Sequence, residues 1–167
     1  EGLTSSLVVS DHVMPMCSPD YRESLRALAS DPREQIAKAR LIHSVKALYQ
    51  WDMWLVRHRV ERNPDDALLR FDRSSMSIQL ARDGAGVLLD SVTLAYDDLK
   101  SGSLVPVSSD FEAVEFPAYW FVCPRRHLNR RAVSLFKNWL EVKGADHQEN
   151  TMELLRCNDV RHRKAEE

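Results

Sequence analysis

Apolar residues fall along the chain in short clusters, and the spacing within each cluster predicts an element. Leu7, Val8, Val9, Val13, Met14 and Met16, within residues 3–17, predict one or two strands, with Pro15 holding the second to an edge or crossing position. Ser18-Pro19-Asp20 opens a helix that runs through Leu28, and Asp31-Pro32 opens a second, with proline at its first position. Leu41-Ile42-His43 is a short strand. Residues 45–58 read as a helix with Trp51 and Trp54 three apart on one face. Arg62 to Asp66 is a polar loop, and Leu68 to Phe71 is the next strand.

The stretch Phe71 to Asp90, FDRSSMSIQLARDGAGVLLD, contains a strand end, a helix and a second strand. Asp72 is placed to cap the helix, and Met76, Ile78, Leu80 and Ala81 give it an apolar face. Gly84 suits the left-handed residue of a helix stop, and Val87-Leu88-Leu89 is a continuous apolar run, as in a buried parallel strand. Beyond it, Tyr96 to Lys100 is a helical turn stopped by Gly102, Leu104 to Val107 a strand, and Ser108 to Glu115 an acidic exposed loop. PAYWFVCP (117–124) is the most strand-like run in the chain. From Arg130 an amphipathic helix presents Ala132, Val133, Phe136, Trp139 and Leu140 on one face, with Gly144 as its end. Residues 144–167 read as a polar tail with one possible turn near Met152 to Leu155. Trp51, Trp54 and Trp139 read as core. Alternation of strands and helices at this spacing predicts an α/β fold with a mixed, largely parallel sheet.

Composition adds limits. The 167 residues suffice for one domain, and a net charge of −2 gives no electrostatic case for nucleic-acid binding by this segment. Cys17, Cys123 and Cys157 are too few and scattered for a disulfide framework, which points to a reducing, cytoplasmic setting. No apolar run is long enough to span a membrane, no secretory leader is visible, and a start at Glu1 is what a piece of a longer protein would show. The motifs of serine hydrolases, P-loop enzymes, zinc proteases and dinucleotide-binding proteins are missing, so no enzyme and no cofactor are expected. Asp97 and Asp98 are adjacent and point apart, which makes them poor acid–base partners. His43 has no partner at ligand spacing and reads as structural.

Six segments in order, HVMPMCSP (12–19), LIH with the two following tryptophans, FDRSSMSIQLARDGAGVLL, DDLKSGSLVPV (97–107), AYWFVCP (118–124) and AVSLFKNWL (132–140), resemble the C-terminal part of LysR-type transcriptional regulators. The chain looks most like the subgroup containing the glycine-cleavage and β-lactamase regulators. The resemblance implies a lobe of a type II periplasmic-binding-protein-like effector domain with most of the other lobe absent. Residues 1–14 would enter from the missing first subdomain, 15–118 would form subdomain 2, and 119–143 would be a crossing strand and the C-terminal helix of subdomain 1. The expected partners are a small-molecule effector, further copies in a homodimer or homotetramer, and promoter DNA through an N-terminal domain outside this chain. A solute-binding protein of related fold, and an oligomerisation module without ligand, are the alternatives. On the last helix, Phe136 and Trp139 would be exposed unless partnered.

Candidate ligand residues follow from two sources. In open α/β sheets ligands sit at the carboxyl ends of strands, which singles out Phe71 to Ser75. Under the resemblance, Ser74 aligns with a ligand-contacting serine and Tyr119 with a crossing-strand tyrosine. Met16 and Cys17, on the other crossing, would line the cleft wall. The effector-binding set is thus Ser74, Ser75, Tyr119, Phe71, Met16 and Cys17. Alternatively, Ser74 and Ser75 only cap the helix, and Tyr119 is a core residue with its tip in water. Arg125, Arg126, His127, Arg130 and Arg131 read as a solvated basic loop.

Overall fold

The computed structural model describes residues 2–47, 49–62 and 68–165. Chain order is β1 (Leu3–Cys17), α1 (Pro19–Leu28), α2 (Pro32–Lys38), β2 (Leu41–Ser44), α3 (Trp51–His58), β3 (Leu69–Phe71), α4 (Ser74–Arg82), β4 (Val87–Ser91), α5 (Tyr96–Ser101), β5 (Val105–Pro106), β6 (Ala113–Pro124), a 3-10 turn (Arg125–His127), α6 (Arg131–Cys157) and β7 (His162–Lys164). The strands form one sheet in the order β3-β2-β4-β1-β6-β7, with β5 also paired to β1.

The sheet is mixed, as expected, but not largely parallel. β2 runs parallel to β3 and β4, and β6 parallel to β7, each linked by a helical crossover. All pairings of β1, with β4, β5 and β6, are antiparallel. The 15-residue β1 pairs with β6 from Leu3 to Val13 and with β4 and β5 from Val13 to Cys17. Pro15 fits inside this strand, opposite Leu89. The Pro15 carbonyl accepts from the Val107 N–H at 3.2 Å, so its nitrogen faces the same side. On that side the β6 pairing has ended at Val13 and the β5 pairing starts at Met16, so no N–H is required.

Alternation along the strands divides the core between the two faces of the sheet. One cluster joins Leu41, Leu89 and Val114 to Leu25, Ile36, Trp51 and Trp54, on α1, α2 and α3. The other joins Met14, Met16, Ile42, Leu88 and Ala113 to Ile78, Ala81, Leu99 and Leu155, on α4, α5 and α6. Trp51 donates its indole N–H to the Ile42 carbonyl at 2.8 Å and meets Trp54 edge-on at 5.4 Å. His58 stacks on Trp54 at 4.1 Å, and burial lowers the pKa of its imidazole.

Several local expectations are corrected. α3 begins at Trp51 rather than 45. The loop expected over 62–66 lies, beyond Arg62, outside the described residues. The N-cap of α4 is Arg73, with no side-chain capping bond; Asp72 is exposed and one residue too early, because a cap must immediately precede the first helical residue. Met76 is 50% exposed, while Ser77 takes the inward position. Trp139 is 55% exposed, unlike the two core tryptophans. Gly84 and Gly102 do adopt positive φ, both 78°, at helix stops.

The largest correction concerns the C-terminal part. α6 continues through Gly144 for 27 residues, and β7 follows, so residues 144–165 are not a loose tail. A Cβ at Gly144 would lie 2.6 Å from the Val8 carbonyl oxygen. Glycine here lets the helix backbone touch β1, an exchange of helix propensity for close packing. Thr151 and Leu155 continue the buried stripe.

The cysteines are free: Cys17 and Cys123 buried, Cys157 exposed. Burial pushes the Cys17 thiol up to about 12. A mildly alkaline disulfide reagent is expected to label Cys157 alone in the folded protein, and all three cysteines after denaturation. Fast labelling of Cys17, read by mass spectrometry, would contradict its sealed position.

Candidate functional site

β2, β3 and β4 all end on the same side as the start of α4, so the carboxyl ends of the parallel strands surround one concavity. A cavity of about 240 Å³ opens there, lined by Asp11, Val13, Lys46, Ala47, Ser74, Asp90, Ser91, Leu94, Ala118 and Tyr119. Ser74 comes from the first turn of α4 and Tyr119 from the middle of β6. The fold therefore joins the two residues across 45 positions of sequence.

Two residues of the lining, Asp11 and Asp90, carry buried carboxyl groups and are each 2% exposed. Asp11 accepts from the His12 N–H at 2.8 Å, the Thr93 N–H at 3.2 Å and the Ser91 hydroxyl. Asp90 accepts from the Ser91 N–H at 2.7 Å and the Ser44 hydroxyl at 2.6 Å. Ser44 also meets the Ser77 hydroxyl at 2.9 Å, which ties Asp90 to α4. Among the described residues, neither carboxyl lies in a salt bridge, so neutral donors alone hold both in place. Burial, with Asp11 nearby, raises the Tyr119 phenol above its ordinary pKa, so it stays a neutral donor. Lys46 is exposed at the rim. Arg73 makes no side-chain capping bond, so among the described residues the first N–H groups of α4, including that of Ser74, stay available to a ligand.

Only part of the expected set converges. Ser74 and Tyr119 share the cavity. Ser75 is exposed and outside its lining. Phe71 is half-buried against the second core cluster. Met16 and Cys17 are both fully buried core residues, one on each face of the sheet, and cannot line a cleft wall. The sequence reading missed Asp11, Asp90, Ser91 and Ser44. The signal for Asp11, Asp90 and Ser91 was an acidic residue interrupting an apolar strand, in VVSDHV and VLLDS; Ser44 carried no such signal. A larger groove of about 640 Å³ lies elsewhere, along Ser18, Tyr21, Ser24, Asp83 and Gly102. Two of its polar groups already have partners: Ser18 caps α1, and Arg82 pairs with Asp98 at 3.1 Å.

Comparison with known proteins agrees with this architecture. The effector domain of the transcriptional regulator AmpR of Pseudomonas aeruginosa superimposes with a TM-score of 0.69 at 19% identity, over 91% of this chain and 70% of that one. Full-length LysG from Corynebacterium glutamicum, solved with bound effector Arg, does so with a TM-score of 0.66 at 15% identity, over 87% of this chain and 47% of that one. At these identities the likeness is one of fold. In sequence, the chain is 34% identical over 131 residues to the HTH-type transcriptional regulator PerR of Escherichia coli (strain K12), covering 78% of this chain and 42% of that regulator. The chain thus spans less than half the length of this relative. Residues 1–144 match the model of the LysR substrate binding domain, and the chain belongs to that family.

Proposed function

We propose that the chain is the effector-sensing part of a LysR-type DNA-binding regulator and holds a small polar metabolite between Ser74 and Tyr119. The observation that carries this reading is that Ser74 and Tyr119 line one cavity together with the buried Asp11 and Asp90. The two carboxyl groups suit donor groups on the ligand, such as an amine or hydroxyls. The free N–H groups of α4 and the rim lysine suit an acceptor or anionic end. The fold likeness to an effector-bound LysG supports the site class. β1 and β6 then act as the two crossing strands, and the remainder of the first lobe lies in the full regulator. Closure of the cleft biases the packing of a dimer or tetramer, and with it the seating of DNA-binding helices outside this chain. Exposed Leu135, Phe136, Trp139 and Val142 on α6 are suited to burial in such an assembly. A regulator of this type works in the cytoplasm, and among the described residues no helix is long and apolar enough to cross a membrane.

A metabolite screen by thermal shift on the full-length regulator tests this, since a ligand at 100 times its Kd adds about 2.7 kcal/mol. Ser74→Ala and Tyr119→Phe are each expected to weaken the hit about tenfold by calorimetry, the first while leaving the unliganded midpoint unchanged. Unchanged affinity in both variants would remove this cavity as the effector site.

A further inference from the structure

On the α6 side of the sheet, three adjacent strands bring together two histidines and a glutamate. His12 of β1 pairs directly with Glu115 of β6, so their side chains share a face. Ala113, two residues before Glu115, pairs with His162 of β7, which puts His162 on that face as well. One ligand atom from each of the three lies within 4.8 Å of the other two. The His162 Nδ1 is 3.7 Å from a Glu115 carboxylate oxygen, and the two imidazoles meet edge-on at 5.5 Å. His12 is fully buried, yet neither of its ring nitrogens has a hydrogen-bond partner among the described residues. A buried imidazole with two unused nitrogens is an unfilled requirement. Its neighbours in the cluster are themselves metal-ligand types.

We infer that His12, Glu115 and His162 bind one divalent transition-metal ion, with zinc as the simplest fit. Two imidazoles and one carboxylate make a borderline donor set that zinc accepts, leaving a fourth position for water. Ligands around a tetrahedral zinc stand about 3.3 Å apart, so the three side chains must draw in slightly on binding. They have room to do so. Glu115 and His162 line an open cavity of about 450 Å³ with Leu7, Ser10 and Gln148, and His12 lies below them. The same opening gives the ion its path of entry and places the water ligand. The bound ion would fasten β7, a three-residue strand at the sheet edge, to the long strands β1 and β6.

Zinc chloride titrated by calorimetry into the 167-residue chain is expected to show one site per chain and to raise the thermal unfolding midpoint. His12→Ala would leave a buried void and confuse folding with binding. His162→Gln and Glu115→Gln, both at partly exposed positions, are therefore the working variants. Each should keep the wild-type circular dichroism spectrum and weaken zinc binding about tenfold or more. Cobalt in place of zinc should give a visible spectrum that both variants lose. Absence of zinc binding by the wild type, or binding undiminished in both folded variants, would overturn the site.

Discussion

Gly144→Ala is expected to destabilise the protein by about 1–2 kcal/mol, although alanine is the better helix former by about 1 kcal/mol. The two effects have opposite signs, and geometry decides between them. The added methyl would stand 2.6 Å from the Val8 carbonyl oxygen and 2.7 Å from the Val8 Cγ1. The Val8 methyl can swing aside, but its carbonyl is main chain, at an irregular step of β1 held by the pairing of Leu7 and Val9 to β6. α6 must therefore lift off β1, and that shift loosens the nearby bond from the Ser10 N–H to the Gln148 side chain, 3.1 Å long. Gly144→Val, with a larger side chain and poorer helix propensity, should lose about 3 kcal/mol. Urea unfolding followed by circular dichroism measures both. An alanine variant as stable as the wild type would show that α6 does not seat against β1 in solution.

The same glycine marks where the sequence misled. A lone glycine after an amphipathic stretch is the usual sign of a helix end, and the fully buried residues beyond it are only Thr151 and Leu155. Met152 and Leu154 pack beside Leu155, but between Gly144 and Thr151 no large apolar residue carries the helical period across the glycine. The apolar strands were legible because burial on both faces requires uninterrupted runs: β4, with all five residues buried, is the plainest case. Pairing direction was not legible, since whether β1 runs with or against β4 depends on connections remote in sequence. At the site, the carboxyl-end rule and the family likeness singled out Ser74 and Tyr119. The same reading erred on Met16 and Cys17, because proximity along a strand to a crossing point does not fix which face a residue takes. His12 and His162 are separated by 150 positions, and only the two-step register through β6 unites them.

Asp11→Ala is expected to be the most damaging single change at the cavity, lowering stability by about 2–4 kcal/mol. The Asp11 carboxyl is 2% exposed and accepts from three donors: the His12 N–H, the Thr93 N–H and the Ser91 hydroxyl. Truncation leaves at least two of them buried and unpaired, at about 1–3 kcal/mol each, with water able to replace part of the loss through the cavity. Asp11→Asn keeps the shape and one acceptor oxygen, so it should recover at least half of the difference. The damage should also be local in kind. Asp11 links β1 to the turn after β4, and Ser91 in turn accepts from the Leu94 N–H at 3.0 Å. Releasing that turn frees Leu94, which lines the cavity, so affinity for the proposed effector should fall even under conditions where the variant remains folded. Denaturant unfolding of the alanine and asparagine variants, with calorimetric binding at low temperature, separates the two consequences. If Asp11→Ala unfolds within about 0.5 kcal/mol of the wild type, the buried carboxyl does not organise the cavity, and the ligand site must be sought elsewhere.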